Sequence, residues 1–139
     1  MTPESDGYGQ APRSLPLILA RELAANLATP MFLLDGEGTL AYFNEAAELM
    51  LGKTYSDVGA VTANDFGEML DLHDLDGSPL RKRDSPSGIA FIQHEPAHRK
   101  VRISALDGTP RTIEVTAYPL FGRTGEMHGV LSVFWEAKE

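Results

Sequence analysis

Residues 99–135 read RKVRISALDGTPRTIEVTAYPLFGRTGEMHGVLSVFW. Segments 99–105 and 111–120 alternate apolar with polar side chains, as expected of strands that bury one face. Asp107 and Gly108 between them have the composition of a hairpin turn. Segment 127–135 is apolar at nearly every position, which is typical of a strand covered on both faces. The stretch therefore predicts three antiparallel strands, with the last one in the centre of a sheet.

A second hairpin is predicted upstream, where segments 31–34 and 39–43 flank a turn that contains two glycines. Asn44 then provides an N-cap for a short helix over 45–51, and Gly52 ends this helix. Further short helical turns are expected at 65–72 and 87–93, separated by loops. Helices gathered against five antiparallel strands predict an α+β fold.

Residues 14–28 carry leucines at four-residue spacing and predict an amphipathic helix before the sheet. The helix carries more apolar side chains than one face of a small sheet can cover. Leu15, Leu19 and Leu23 form one stripe, and a second set lies partly to another side. This second set consists of Leu17, Ala20, Ala24 and Leu27. We therefore expect one set to pack on the sheet and the other to meet a second subunit.

The predicted organisation is a weakly ordered lead over 1–13, the flanking helix over 14–28, the main domain over 29–136 and a tail over 137–139.

The net charge of −8 argues against nucleic acid as a partner, because such binding requires clustered Lys and Arg. Arg81, Lys82 and Arg83 are interpreted as a solvated loop. Since no apolar run is long enough for a membrane span and no signal peptide is recognisable, we expect no membrane partner and a cytoplasmic location.

Several segments, in their order and spacing, resemble the PAS domain family. An opening hairpin runs into an Asn-capped helix, an Asp-Gly loop precedes a middle helix, and three strands close the domain. The segments that carry the resemblance are 31–35, 41–48, 76–80, 86–96, 107–108, 113–120 and 125–134. The likeness covers about residues 23–135 and implies a single bacterial-type PAS domain that acts as a signalling sensor or interaction module. The sequence ends shortly after Trp135, which predicts a domain without an effector of its own.

The resemblance also implies a space between the sheet and the short helices, which holds a small ligand or is filled by side chains. Strand alternation and the resemblance predict its lining, and the scarcity of inward polar groups favours an apolar ligand such as a fatty acid. The predicted lining residues are Phe43, Met50, Phe66, Ile89, Phe91, Ile92, Val101, Ile103, Ile113, Val115, Val130, Ser132 and Phe134. If side chains fill this space, the domain is instead a protein-interaction module without a ligand.

Cofactor chemistry is restricted by composition. The chain has no cysteine, which excludes the cysteinyl flavin adduct of light-sensing PAS domains. Haem is the second alternative, with His94 as a weak candidate ligand because haem-binding PAS domains take their histidine from this region. No catalytic motif is present, and strand alternation places Glu114 outward, so we expect no enzyme.

The resemblance favours a homodimer, because the helix preceding PAS domains commonly mediates association. The predicted interface residues are Leu15, Ile18, Leu19 and Leu23. A signalling partner such as a kinase or a transcription factor is also expected.

Overall fold

The computed structural model describes residues 14–137 and contains five helices and five strands in that range. The expectations for 1–13 and for the end of the tail lie outside the described residues. The helices are α1 (Leu15–Ala25), α2 (Glu45–Leu51), α3 (Tyr55–Val58), α4 (Ala63–Met69) and α5 (Pro86–Gln93). The strands are β1 (Met31–Asp35), β2 (Leu40–Phe43), β3 (Ala97–Ser104), β4 (Pro110–Phe121) and β5 (Met127–Glu136).

The strands form one antiparallel sheet in the order β2-β1-β5-β4-β3. The predicted α+β class and the central position of the last strand are therefore confirmed. β5 reaches this position because it pairs with β1 on one side and with β4 on the other, for example through Leu33 opposite Leu131 and Val115 opposite Phe134.

The inner face of the sheet carries the main core. Alternate residues of the strands, among them Leu34, Val130 and Phe134, are buried there under α2, α4 and α5. Phe43 lies at the centre of an aromatic cluster, edge-on to Tyr55 and stacked against Phe66. Burial of such large apolar side chains is the main stabilising contribution to the domain.

The outer face of the sheet is covered in part by α1. Ala20 packs with Leu33 and Ala41, and strand alternation places Leu33 on the face opposite Leu34. β5 is consequently less covered than its composition predicted, since Leu131 is only half-buried and Trp135 is 39% exposed. The excess apolar residues of β5 therefore form part of an accessible outer face.

Several boundaries differ from the predicted ones because local hydrogen bonds determine where elements end. α1 ends at Ala25, whereas the predicted end was residue 28. Asn26 is the C-cap, and its backbone N–H donates to the carbonyls of Leu23 and Ala24. α3 lies in a stretch that was predicted as a loop, and α4 spans Ala63–Met69 where a helical turn over 65–72 was predicted. Their N-caps, Thr54 and Thr62, accept hydrogen bonds from backbone N–H groups three residues further on.

Asn44 joins three elements, in addition to capping α2 as predicted. Its Oδ1 accepts from the N–H groups of Met31 and Ala47, both at 3.0 Å. Its Nδ2 donates to the carbonyls of Ala24 at 2.8 Å and Thr29 at 2.9 Å. The side chain is 1% exposed and thereby ties the end of α1 to the starts of β1 and α2.

Candidate ligand cleft

An open cleft of about 830 Å³ lies between the inner face of the sheet and the helices that cover it. Its floor is apolar, and its walls come from α4, from α5 and from the segment that joins them. The floor residues are Phe32, Leu34, Val101, Ile103, Ile113 and Val115. The volume is within the range of small-molecule sites in proteins.

The rim of the cleft is charged. The exposed side chains of Glu37, Glu68, Asp71, Arg81 and Lys82 are among its lining. The floor and rim together suit a molecule with an apolar body and a polar end, because its body leaves water while its end stays at the rim.

The roof depends on close packing between α5 and a 3-10 turn over Lys82–Asp84. Ser85 caps α5 by accepting a hydrogen bond from the Gly88 N–H at 3.0 Å, and its own hydroxyl donates to the Lys82 carbonyl at 2.7 Å. A Cβ atom at Gly88 would overlap the Lys82 carbonyl oxygen. Glycine at position 88 therefore allows the turn to close over the end of the cleft.

An ion pair anchors the rim segment to the sheet. The Arg99 guanidinium donates to Asp74 Oδ2 at 2.6 Å and to the Asp84 carbonyl at 3.3 Å. The backbones of His73 and Arg102 exchange two hydrogen bonds of 2.9 Å. These contacts hold the segment between α4 and α5 along β3 and maintain the cleft opening.

Tyr55 supports the core behind the cleft. Its hydroxyl donates to the Leu40 carbonyl at 3.1 Å. Burial raises the pKa of Tyr55 above its ordinary value, so the hydroxyl stays protonated and remains a donor at neutral pH.

The structure brings seven of the thirteen predicted lining residues to the cleft: Phe66, Phe91, Ile92, Val101, Ile103, Ile113 and Val115. The other six lie elsewhere. Phe43, Val130 and Phe134 are packed in the core, and Met50 contacts the same core from α2. Ile89 is half-buried on α5 outside the cleft, and Ser132 is fully buried in β5.

Sequence reasoning missed several lining residues. Phe32 and Leu34 are alternate residues of β1, but residues 31–34 are all apolar, so the sequence does not show which alternate pair faces the cleft. Gly67, Leu72 and Leu80 had no alternation signal, because they lie on a short helix and in an irregular segment.

His94 lies outside the cleft. It ends α5 in the left-handed conformation, is exposed, and packs edge-on against Phe121 with ring centroids 6.2 Å apart. This placement does not support the haem alternative. Within residues 14–137, no group of three or more His, Asp or Glu side chains is arranged to hold a metal ion.

A five-stranded antiparallel sheet with a cleft beneath short helices defines a small α+β domain. The model of the PAS domain family matches residues 19–92, and the chain belongs to this family. The resemblance drawn from the sequence is thus confirmed. No curated protein matches the sequence significantly.

Solved PAS domains have the same architecture. The PAS domain of Bordetella pertussis BvgS is 20% identical with a TM-score of 0.60, over 88% of this chain and 86% of that one. A PAS domain from Colwellia psychrerythraea is 17% identical with a TM-score of 0.61, over 87% and 96%. The PAS domain of nitrogen regulation protein NR(II) from Vibrio parahaemolyticus is 19% identical with a TM-score of 0.58, over 90% and 100%. At these identities the likeness concerns the fold.

No helix within residues 14–137 combines the length and the apolar character needed to cross a bilayer.

Proposed function

We propose that this PAS domain is a signalling sensor whose cleft binds a small, mostly apolar molecule. The observation that supports this proposal is the cleft of about 830 Å³ over a floor of six apolar side chains. Apolar surface of this extent gains free energy when a ligand removes it from water. The charged rim favours an amphiphile such as a fatty acid, with its polar end near the opening.

Binding rather than catalysis is proposed, since PAS domains in general are sensory and interaction modules. An enzyme on a related cone-shaped fold would place a carboxylate inside the apolar cavity. Glu114 lies on the outer face of β4, where His98 Nε2 is 3.0 Å from Glu114 Oε1, and the three carboxylates among the cleft residues, Glu37, Glu68 and Asp71, are exposed to solvent. The partner that receives the signal is proposed to be a regulatory protein such as a kinase or a transcription factor.

Native mass spectrometry of the purified protein, together with an absorbance scan, tests the sensor proposal. A co-purifying small molecule, or saturable binding of decanoate, supports it. A protein that carries no ligand and binds neither decanoate nor other amphiphiles of this length favours the interaction module without a ligand.

Filling the cleft is expected to abolish ligand binding while retaining the fold. Gly67 lines the cleft from α4, and a Cβ atom there would meet no atom within 4 Å. Gly67→Trp should therefore place its indole in open space and reduce decanoate affinity by at least about tenfold, as measured by isothermal titration calorimetry. Leu49→Trp is the matched control, because Leu49 is 78% exposed on α2 and does not line the cleft. Undiminished binding to Gly67→Trp would place the ligand elsewhere.

We also propose that the domain functions as a homodimer through α1. The helix buries Leu17, Ala20 and Ala24 against its own sheet. Leu19 and Leu23 face away and are 58% and 49% exposed. The stripe also includes Leu15 and Ile18, and Tyr118 and Trp135 extend the accessible apolar surface across the sheet. A symmetric dimer would cover this surface on both subunits at once.

Leu19→Glu is expected to convert a dimer of about 30 kDa into a monomer of 15.1 kDa in sedimentation equilibrium, because each subunit would place a carboxylate in the apolar interface. The fold should be retained, since Leu19 does not pack on the sheet. Leu49→Glu, the same change at an exposed leucine of α2, should leave the dimer intact. A wild-type protein that stays monomeric to high micromolar concentration would contradict the proposal.

A further inference from the structure

Charge is unevenly distributed in this acidic chain. Residues 36–76 contain nine acidic side chains and one basic side chain, whereas residues 77–102 contain six basic and two acidic ones. The first range includes β2 and helices α2 to α4, and the second includes the 3-10 turn, α5 and β3. β3 thus carries three of the twelve basic side chains of a protein whose net charge is −8, and Asp74 of the acidic range neutralises one of them, Arg99.

Four of these cations have no carboxylate within 4 Å among the described residues: Lys82, Arg83, Lys100 and Arg102. All four are exposed. Arg81 and Arg99 are paired with Asp84 and Asp74. The contact of Arg99 with the Asp84 carbonyl holds the 3-10 turn on the inner side of β3. Lys100 and Arg102 alternate with Arg99 along the strand and therefore lie together on its outer face.

β3 is an edge strand that is only partly covered. The N–H groups of Arg102 and Ser104 donate away from β4 to the carbonyls of His73 and Leu70. Because outward-facing groups recur at every second residue of an antiparallel strand, the N–H and C=O groups of His98 and Lys100 also face outward. In the part of the chain that the structure describes, no other backbone group pairs with them.

We propose that this edge binds an extended acidic segment of a partner protein, which adds to the sheet as a sixth strand beside β3. The segment's backbone pairs with His98 and Lys100, and its carboxylates meet Lys100 and Arg102 on the outer face of β3. An edge lysine disfavours pairing with basic or apolar strands, which makes the surface selective for acidic ones. Nucleic acid is the less favoured occupant, because it offers no backbone ladder and is repelled by the rest of this acidic chain.

The probe is an N-acetylated, C-amidated and fluorescently labelled octapeptide, Thr-Glu-Val-Glu-Val-Glu-Val-Thr, tested with the full chain by fluorescence anisotropy and by amide chemical shifts. Binding should shift the amide signals of residues 98–100 and weaken as salt rises from about 0.05 to 0.3 M. The double variant Lys100→Glu, Arg102→Glu should bind at least about tenfold more weakly. Lys53→Glu is the control, since Lys53 is an exposed cation in the acidic range and its reversal should change affinity little.

A second pair of variants separates backbone pairing from charge. His98→Pro removes the outward N–H of β3 without removing a bond to β4, and it should weaken peptide binding relative to His98→Ala. Equal binding by these two variants, or no shift at residues 98–100, would overturn the proposal. Tighter binding of a single-stranded oligonucleotide at Lys100 and Arg102 would also overturn it.

Discussion

Asn44→Ala is expected to lower the free energy of unfolding by about 3 to 5 kcal/mol, a large share of the 5 to 15 kcal/mol typical of a domain. The Asn44 side chain is 1% exposed and satisfies the N–H groups of Met31 and Ala47. It also satisfies the carbonyls of Ala24 and Thr29. Alanine would leave the buried N–H groups of Met31 and Ala47 unpaired, which costs more than the loss of a helix cap alone, although the Ala24 carbonyl keeps its bond from the Leu27 N–H. Urea unfolding followed by circular dichroism measures the difference.

The matched control for this prediction is Asn26→Ala. Asn26 also has a side-chain hydrogen bond, from Nδ2 to the Glu22 carbonyl at 2.8 Å, but this bond is exposed. Its loss should cost well under about 1 kcal/mol, because water replaces the partner. If both variants lose similar stability, the importance assigned to the Asn44 network is wrong. Hydrogen exchange should further show that Asn44→Ala loosens α1, which Asn44 ties to β1.

Gly88→Ala is expected to destabilise the domain by about 2 to 3 kcal/mol, although glycine to alanine inside a helix ordinarily stabilises by about 0.5 to 1 kcal/mol. The sign reverses because the added Cβ would overlap the Lys82 carbonyl oxygen, a backbone atom that moves only if the whole 3-10 turn moves. That displacement opens the roof of the cleft and breaks the Ser85 cap. Decanoate affinity should therefore fall together with the melting temperature.

Gly67→Ala is the control with the opposite sign. Gly67 lies within α4, and a Cβ atom there would have no neighbour within 4 Å. The substitution should raise the stability by about 0.5 to 1 kcal/mol, through the helix propensity alone. Thermal unfolding of the two variants compares the same chemical change in two environments. A stabilised Gly88→Ala protein would show that the turn does not pack on α5 as described.

Most of the secondary structure was predictable from local signals. The alternation in β3 and β4 and the cap and stop of α2 depend on residues a few positions apart, so they act the same way before and after folding. The central position of β5 was also predictable, since a nearly continuous apolar strand would expose the most apolar surface at the edge of the sheet. Helical spacing also predicted the two sets of apolar residues on α1. Leu27 is the exception: it was assigned to the second set but lies beyond the helix, which ends at Ala25, and it is 40% exposed.

The cleft and the basic edge depend on the tertiary structure. Alternation identifies the inner face of each strand. It does not show which inner residues remain uncovered by α4 and by the segment between α4 and α5. Phe43 and Val101 have the same kind of pattern, yet one is packed in the aromatic core and the other forms the cleft floor. Likewise, Arg81 to Arg83 appear as an isolated loop in the sequence, and this loop is placed by its packing on α5 and by the contact of Arg99 with the Asp84 carbonyl. The physical reason is that burial and charge clustering arise from contacts between residues distant in the chain, whereas caps and alternation arise from neighbours.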